Sequence, residues 1–162
     1  MKQVFVLIFF CFSFMVANEV EDIIIPAMEK CIKESNADSC NYVASALLLQ
    51  FENGGIPQES AKQYLDMILD LFDISCNKSN SSLGCLMLAL IYSGDVGYLP
   101  NIKDNKSYFI YLSKSCLLNN GYACYRIGLA AYKYNQDIAI PAFKKGCELG
   151  NKESCAELSN LK

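Results

Sequence analysis

The 162-residue sequence contains no histidine and no tryptophan. Without an imidazole, the chain has no Ser-His-Asp triad, no Cys-His pair, no HExxH zinc helix and no histidine to shuttle protons near neutral pH. The missing histidine therefore excludes most of the common hydrolase mechanisms.

The N-terminus has few charges. Lys2 is the only charged residue before Glu19, and Val4 to Val16 form a run of 13 largely apolar residues. This length suits the core of a signal peptide and falls short of the ~20 residues of a membrane-spanning helix. We expect residues 1–17 to be a signal peptide cleaved near Ala17 or Asn18, with an uncleaved N-terminal anchor as the alternative. Cleavage would leave a secreted or periplasmic chain, residues 18–162, without a stable membrane anchor.

Positive charge is scarce in the remaining chain. Residues 18–162 contain 13 basic and 17 acidic residues, a net charge of −4. Nucleic acids and anionic membranes both bind basic surfaces. The composition therefore argues against either of them as a partner.

The cysteines indicate a disulfide framework. Cys11 would leave with the signal peptide, and an even number of cysteines in an exported chain predicts disulfide bonds. Eight cysteines allow 105 connectivities, of which proximity in the chain favours Cys31–Cys40, Cys76–Cys85, Cys116–Cys124 and Cys147–Cys155. Zinc sites use closer cysteine spacings or histidine partners, so we predict no metal site and no cofactor.

The cysteine pairs also mark an internal repeat. Apolar residues recur eight, seven and four positions before each first cysteine, as on one face of a helix. Aliphatic residues stand three positions after each second cysteine, and small residues stand four positions after it: Ala44, Ala89, Gly128 and Ser159. The pattern predicts an all-α, α/α solenoid of about four disulfide-stapled helical hairpins, with approximate repeats 20–55, 56–100, 101–135 and 136–162.

Several residues predict helix ends. Asp104 is a typical N-cap for the fifth helix, and Pro57 with the two residues after it predicts the start of the third. Pro26 and Pro141 would each remove a hydrogen bond inside a helix. We therefore expect both prolines in or near a first turn, which shortens the first and seventh helices.

The repeat resembles that of the Sel1-like proteins, specifically the Helicobacter cysteine-rich proteins. The matching residues are Lys103, Asp104, Tyr111, Leu112, Lys114, Cys116, Cys124, Ile127 and Gly128, then Cys85, Leu88, Ala89, Ile91, Tyr92 and Gly94, and Cys147 to Asn151. The first two cysteine loops have eight intervening residues where that family has seven. The resemblance covers roughly residues 20 to 162 and implies a TPR-like binding scaffold.

Two classes of function follow. As a scaffold, the protein would bind a protein or peptide in a groove, and Tyr92, Tyr125 and Tyr132 are candidate groove contacts. The alternative is that these tyrosines pack between repeats.

The enzyme hypothesis comes from the resemblance, because the family is associated with weak binding or hydrolysis of penicillins. It implies a β-lactamase, and a β-lactam or peptidoglycan fragment as ligand. Ser75 and Lys78 form one S-x-x-K match, in which the lysine would activate a serine nucleophile. About one such match is expected by chance, and neither an S-D-N nor a K-T-G element is present. The structural alternative is that Ser75 only ends a helix beside a disulfide.

Overall fold

The computed structural model of the protein describes residues 20–161, and this part of the chain is helical with no β-strand. The predicted signal peptide, its cleavage site and Cys11 lie outside the described residues. Eight α-helices are present between residues 20 and 161: α1 (Ile25–Glu34), α2 (Ala37–Glu52), α3 (Ala61–Asp73), α4 (Ser82–Ser93), α5 (Asn105–Leu117), α6 (Gly121–Tyr132), α7 (Gln136–Glu148) and α8 (Lys152–Asn160). Two π-helical turns, Val20–Ile24 and Ile74–Lys78, accompany them. The predicted all-α class is confirmed.

The chain divides into two compact units, which we treat separately. The N-terminal unit comprises Met1–Ser79 and Gly97–Pro100, and its described part holds α1 to α3. The C-terminal unit comprises Asn80–Val96 and Asn101–Lys162 and holds α4 to α8. In each unit, consecutive helices pack against one another. The division at residue 79 falls inside the second predicted repeat, between its two helices.

The same turn precedes the second helix of every predicted hairpin. Its first residue has a left-handed backbone conformation, and the four residues are Ser35, Asn80, Asn119 and Gly150. Its second residue is an N-cap whose side chain accepts a hydrogen bond from the backbone N–H three residues later, and these are Asn36, Ser81, Asn120 and Asn151. Asn and Gly tolerate the left-handed region, and Asn and Ser are good caps. The short polar segments between the cysteines therefore encode a defined turn.

All eight cysteines of the described residues are disulfide-bonded. The structure pairs Cys31 with Cys40, Cys116 with Cys124 and Cys147 with Cys155, each with a Cα–Cα distance of 4.7 Å. These bridges join the end of one helix to the first turns of the next helix.

The first two cysteine loops are one residue longer than the others, and the extra residue is accommodated at the end of the first helix of each hairpin. In the second loop, the π-helical turn Ile74–Lys78 holds it, since a π turn contains one residue more than an α turn. In the first loop, the amide of Asn36 bonds the carbonyl of Lys30, six residues back. In the third loop, the amide of Asn120 bonds the carbonyl of Ser115, only five residues back. The difference in loop length therefore leaves the N-cap turn unchanged.

Three of the predicted helix ends can be compared directly. Asp104 caps α5, accepting a 3.0 Å hydrogen bond from the amide of Lys106, as predicted. Pro26 lies in the first turn of α1, also as predicted. The prediction for Pro141 was wrong, because α7 begins at Gln136, capped by Asn135, and continues through the proline.

The third helix begins later than predicted. Pro57 starts a turn closed by a 2.9 Å hydrogen bond from the amide of Ser60 to its carbonyl, and α3 follows at Ala61. Proline fixes its own φ but does not require the residues after it to start a helix, and Pro57 is here the first residue of a turn. The proline alone therefore did not distinguish a turn from the start of a helix.

The core of each unit follows the repeat. Four positions before the first cysteine, Phe72, Leu112 and Phe143 are almost completely buried. Seven positions before it, Phe109 and Ile140 are exposed by 45% and 42%, so their predicted burial was wrong. In α3 and α7 the core-facing stripe is centred on the positions four and eight before the cysteine, and the seventh lies at its edge. The first hairpin differs, because Ile24 at the seventh position is buried and Ile23 at the eighth is 49% exposed.

Candidate functional site

The structure separates the environments of Ser75 and Lys78. Ser75 lies in the π-helical turn with 0% exposure, and its hydroxyl has no hydrogen-bond partner in the described residues. Lys78 ends the same turn and is exposed. An activated serine needs a base within hydrogen-bond reach and access to its substrate. The described geometry provides neither for this hydroxyl.

The position of Ser75 has a packing role in the third and fourth hairpins. Ser115 directly precedes the first cysteine of the third pair, is also completely buried, and donates a 2.8 Å hydrogen bond to the carbonyl of Ser82. Gly146 holds this position in the last hairpin, where a Cβ would overlap the side chain of Ser154. Small residues stand here because the neighbouring helix approaches closely.

An apolar cleft opens on the N-terminal unit, between α1 and α3. Its volume is about 280 Å³, and its lining is Met28, Ile32, Gln63, Asp66, Met67, Asp70, Leu71 and Ile74. Met28 and Leu71 are buried and form its floor, whereas Ile32 is 41% exposed at its wall. Gln63, Asp66 and Asp70 are exposed polar residues at the rim. An open apolar cleft with few polar groups is typical of a binding site.

The rim of this cleft is acidic. Burial raises the pKa of Asp70, and the nearby charges of Asp66 and Asp73 raise it further. Lys62 bonds Asp66 at 2.9 Å and compensates part of this charge. The i, i+4 pair Asp66 and Asp70 thus forms an exposed helix face beside an apolar cleft.

A row of aromatic side chains runs through the C-terminal unit. Tyr125 and Tyr132 both contact Phe143. The centroid of the Tyr125 ring lies 6.2 Å from that of Phe143, and the centroid of the Tyr132 ring lies 6.3 Å from it. The ring centroids of Tyr122 and Tyr125 are 6.3 Å apart, and Tyr122 is 41% exposed. The row thus brings together two of the candidate groove contacts. Tyr92, the third, instead stacks on Tyr111 at 5.8 Å.

Arg126 is held beside this row. Its guanidinium donates hydrogen bonds of 3.0 Å to the hydroxyl of Tyr122 and 3.3 Å to that of Tyr108, and it lies 5.8 Å from the Tyr122 ring centroid. The bond to Tyr122 is the main reason that the pKa of Arg126 is raised. Two phenols therefore fix a charged, partly buried guanidinium in one orientation.

Two further observations bear on function. No three carboxylate or thiol side chains of residues 20–161 lie close enough to hold a metal ion. In the same residues, no helix has both the length and the apolar character needed to cross a membrane.

Sequence reasoning did not single out the cleft or Arg126. Met28, Ile32 and Met67 lie outside the cysteine-aligned positions, so the repeat pattern gave them no distinguishing signal. Arg126 did carry a signal in the sequence, because it is the only arginine in the chain. Its placement between two tyrosines of different helices, however, depends on the hairpin geometry.

The comparisons with known proteins agree with this fold. No protein-family profile matches the chain, and no curated protein matches it. Among solved structures, Helicobacter pylori cysteine rich protein B is similar at 26% sequence identity with a TM-score of 0.51, over 84% of this chain and 97% of that protein. The likeness confirms the predicted α/α solenoid class. The predicted resemblance is thereby confirmed as well: the chain is a disulfide-bonded helical repeat protein similar to Helicobacter cysteine-rich protein B, consistent with the Sel1-like repeat family.

Proposed function

We propose that this protein is an exported scaffold that binds a peptide segment of a partner protein. Three features support the proposal: the disulfide framework, the likeness to a cysteine-rich solenoid protein, and the cleft on the N-terminal unit. Disulfide bonds persist in oxidising compartments, in agreement with secretion or a periplasmic location.

The cleft is the observation that carries the proposal. Its floor and walls are aliphatic and methionine side chains, and only its rim is polar. A partner that inserts an apolar side chain there removes the exposed part of Ile32 from water, at about 25 cal/mol per Å² of apolar surface. Methionine adapts to ligands of different shape because its side chain is unbranched and flexible. The cleft therefore fits one apolar side chain of a peptide.

The acidic rim defines the partner further. Without residues 1–17, the N-terminal unit has four basic and eleven acidic residues, a net charge of −7. A lysine or arginine next to the inserted apolar residue would face Asp66 and Asp70, and would relieve the repulsion among the α3 aspartates. The partner segment is therefore an apolar side chain beside a basic one, and long-range attraction speeds its arrival.

A selection from a displayed random-peptide library against the exported protein tests the proposal. We expect enrichment of peptides that place an apolar residue next to Lys or Arg. Met67→Glu puts a charge on the wall of the cleft and should weaken the selected peptides about tenfold or more. Leu49→Glu, at a 49% exposed leucine of α2, is the matched control and should leave the affinity within about twofold. A selection without enrichment, or equal binding by Met67→Glu, would refute the proposed site.

The proposed export has its own test. The intact mass of protein recovered from the periplasm or the medium should lack residues 1–17. Alkylation without a reductant should add no mass, because the remaining eight cysteines are all paired. A retained leader, or a free thiol on the folded protein, would contradict export by the proposed route.

A further inference from the structure

The C-terminal unit has the opposite charge from the N-terminal unit. It contains nine basic and six acidic residues, a net charge of +3, against −7 for the N-terminal unit without residues 1–17. Such asymmetry is informative because each sign attracts a different partner. The apolar cleft belongs to the acidic unit, so the basic unit requires a separate account.

Arg126 is a charged side chain of the basic unit that two side-chain hydrogen bonds hold in place. Within residues 20–161, Arg126 forms no salt bridge, unlike Lys33 with Glu29 and Lys62 with Asp66. Among the residues that the structure describes, its guanidinium bonds only the neutral hydroxyls of Tyr108 and Tyr122. A guanidinium has five N–H donors, and three of them are left for another acceptor.

The two tyrosines add donors of their own. Each hydroxyl oxygen accepts a bond from Arg126, which leaves its O–H free to donate to a third group. A carboxylate placed here would accept N–H and O–H bonds together. Because the phenols already hold the guanidinium in place, little side-chain entropy remains to be lost on binding.

Two exposed aromatic rings lie next to these donors. Phe109 is 45% exposed and packs edge-to-face on Tyr108, with ring centroids 4.9 Å apart. Tyr122, which accepts a hydrogen bond from Arg126, is itself 41% exposed. Arginine and tyrosine are enriched among the few residues that dominate the binding energy of protein interfaces. We call the surface formed by Tyr108, Phe109, Tyr122 and Arg126 the arginine patch.

We propose that the arginine patch binds an acidic segment of a protein partner, in which an Asp or Glu side chain follows or precedes an aromatic one. The carboxylate takes the free donors of Arg126 and its two phenols, and the aromatic ring packs on Phe109 or Tyr122. This site differs from the cleft, and it does not depend on the cleft having a ligand.

Two short end-blocked peptides test this inference. The acidic peptide alternates Tyr or Phe with Glu or Asp, and the neutral peptide replaces each Glu by Gln and each Asp by Asn. Fluorescence anisotropy with the exported full chain should give about tenfold or more tighter binding of the acidic peptide. Equal affinity for both peptides, or no binding of the acidic one, would overturn the proposal.

Variants of Arg126 and of an exposed lysine distinguish binding at the arginine patch from attraction by the overall positive charge of the unit. Arg126→Gln should remove the preference for the acidic peptide, and Arg126→Lys should lose most of it because an ammonium lacks the planar fork. Lys133→Gln, an exposed lysine at the end of α6, removes the same charge and should keep the preference. Persistence of the preference in Arg126→Gln, or its loss in Lys133→Gln, would overturn the proposal.

Two further controls cover folding and the cleft. Tyr122→Phe keeps the ring and removes only the hydroxyl, so it should weaken the acidic peptide while the far-UV spectrum stays unchanged. Met67→Glu should leave the acidic peptide unaffected, and Arg126→Gln should leave the cleft-selected peptides unaffected. Failure of the patch and failure of the cleft are thus distinguishable.

Discussion

Gly128 of α6 faces the ring of Phe143 of α7 so closely that a Cβ on the glycine would lie under 3.0 Å from three ring carbons. Both residues hold repeat positions, four after a second cysteine and four before the next first cysteine. Ala89 and Leu112 hold the same two positions one hairpin earlier and belong to one buried cluster. A small residue on one helix therefore receives a large residue from the next hairpin.

Gly128→Ala should destabilise the protein, although alanine is the better helix former by about 1 kcal/mol. The added methyl group forces the Phe143 ring to move, and overpacking of this kind costs about 1–3 kcal/mol. Urea denaturation measures the change in the free energy of unfolding. Gly97→Ala is the control, because nothing lies within 4 Å of its Cβ. Adding Phe143→Leu to Gly128→Ala should recover part of the lost stability. If Gly128→Ala stabilised the protein, the close contact between Gly128 and Phe143 would be contradicted.

Ser75→Ala and Ser115→Ala should shift stability in opposite directions. Both serines are completely buried, but only Ser115 makes a hydrogen bond. Removing the unpartnered hydroxyl of Ser75 should stabilise the fold by up to about 1 kcal/mol, and removing that of Ser115 should cost about 1 kcal/mol. Thermal melts of the two variants measure the difference. Destabilisation by Ser75→Ala would show that its hydroxyl has a partner.

The same Ser75→Ala variant tests the enzyme hypothesis. Because the hydroxyl is buried, we expect any hydrolysis of a chromogenic cephalosporin by the protein to be unchanged in the variant. Turnover that the substitution abolishes would establish Ser75 as a nucleophile and would contradict a pure scaffold.

Asp70→Asn should stabilise the protein at neutral pH. The pKa of Asp70 is raised above its ordinary 3.8, mainly by burial, so the folded state binds this proton more tightly than the unfolded state does. The stability linked to this group is therefore greatest below pH 3.8 and falls as the pH rises through the folded pKa. After solvent screening, the gain from Asn at pH 7 should stay below about 1 kcal/mol. Melts of the variant and the parent protein from pH 3 to 7 should show this gain in stability vanish in acid, and a gain that stays constant with pH would contradict the assignment.

Reduction should unfold or greatly loosen the protein. Each bridge closes a loop of about nine residues and contributes about 2.6 kcal/mol in the chain-entropy model, or about 10 kcal/mol for four. The net stability of a typical domain is only about 5–15 kcal/mol. A far-UV spectrum and a melting curve that are unchanged in dithiothreitol would contradict this. Replacing both Cys116 and Cys124 by serine should cost more than replacing Cys147 and Cys155, which are less buried.

The sequence was sufficient to predict the helical class, the cysteine-centred periodicity and the cap at Asp104. These features are local, because helical periodicity and N-cap chemistry depend on residues within one or two turns. The small-residue position was also readable, although its partner was not. That Phe143 fills the space at Gly128 depends on how one hairpin packs on the next.

The features that the sequence did not predict, or predicted wrongly, also have physical explanations. Pro141 lies within α7 because the Asn135 cap sets the start of the helix one turn earlier, and tertiary packing overrides the loss of one hydrogen bond. The cleft and the arginine patch combine side chains from different helices. Met28 and Met67, or Tyr108 and Arg126, are brought together only by the fold, so no spacing in the sequence predicts them.

The methyl signals of methionine test the binding of a peptide in the cleft most directly. Met28, Met67 and Met87 are the methionines between residues 20 and 161, and only the first two line the cleft. With methyl-labelled protein, titration of a selected apolar-basic peptide should shift the signals of Met28 and Met67 in proportion to its occupancy. The Met87 signal, from a residue on α4, should stay in place. Saturable binding that moves Met87 alone, or none of the three, would contradict the account.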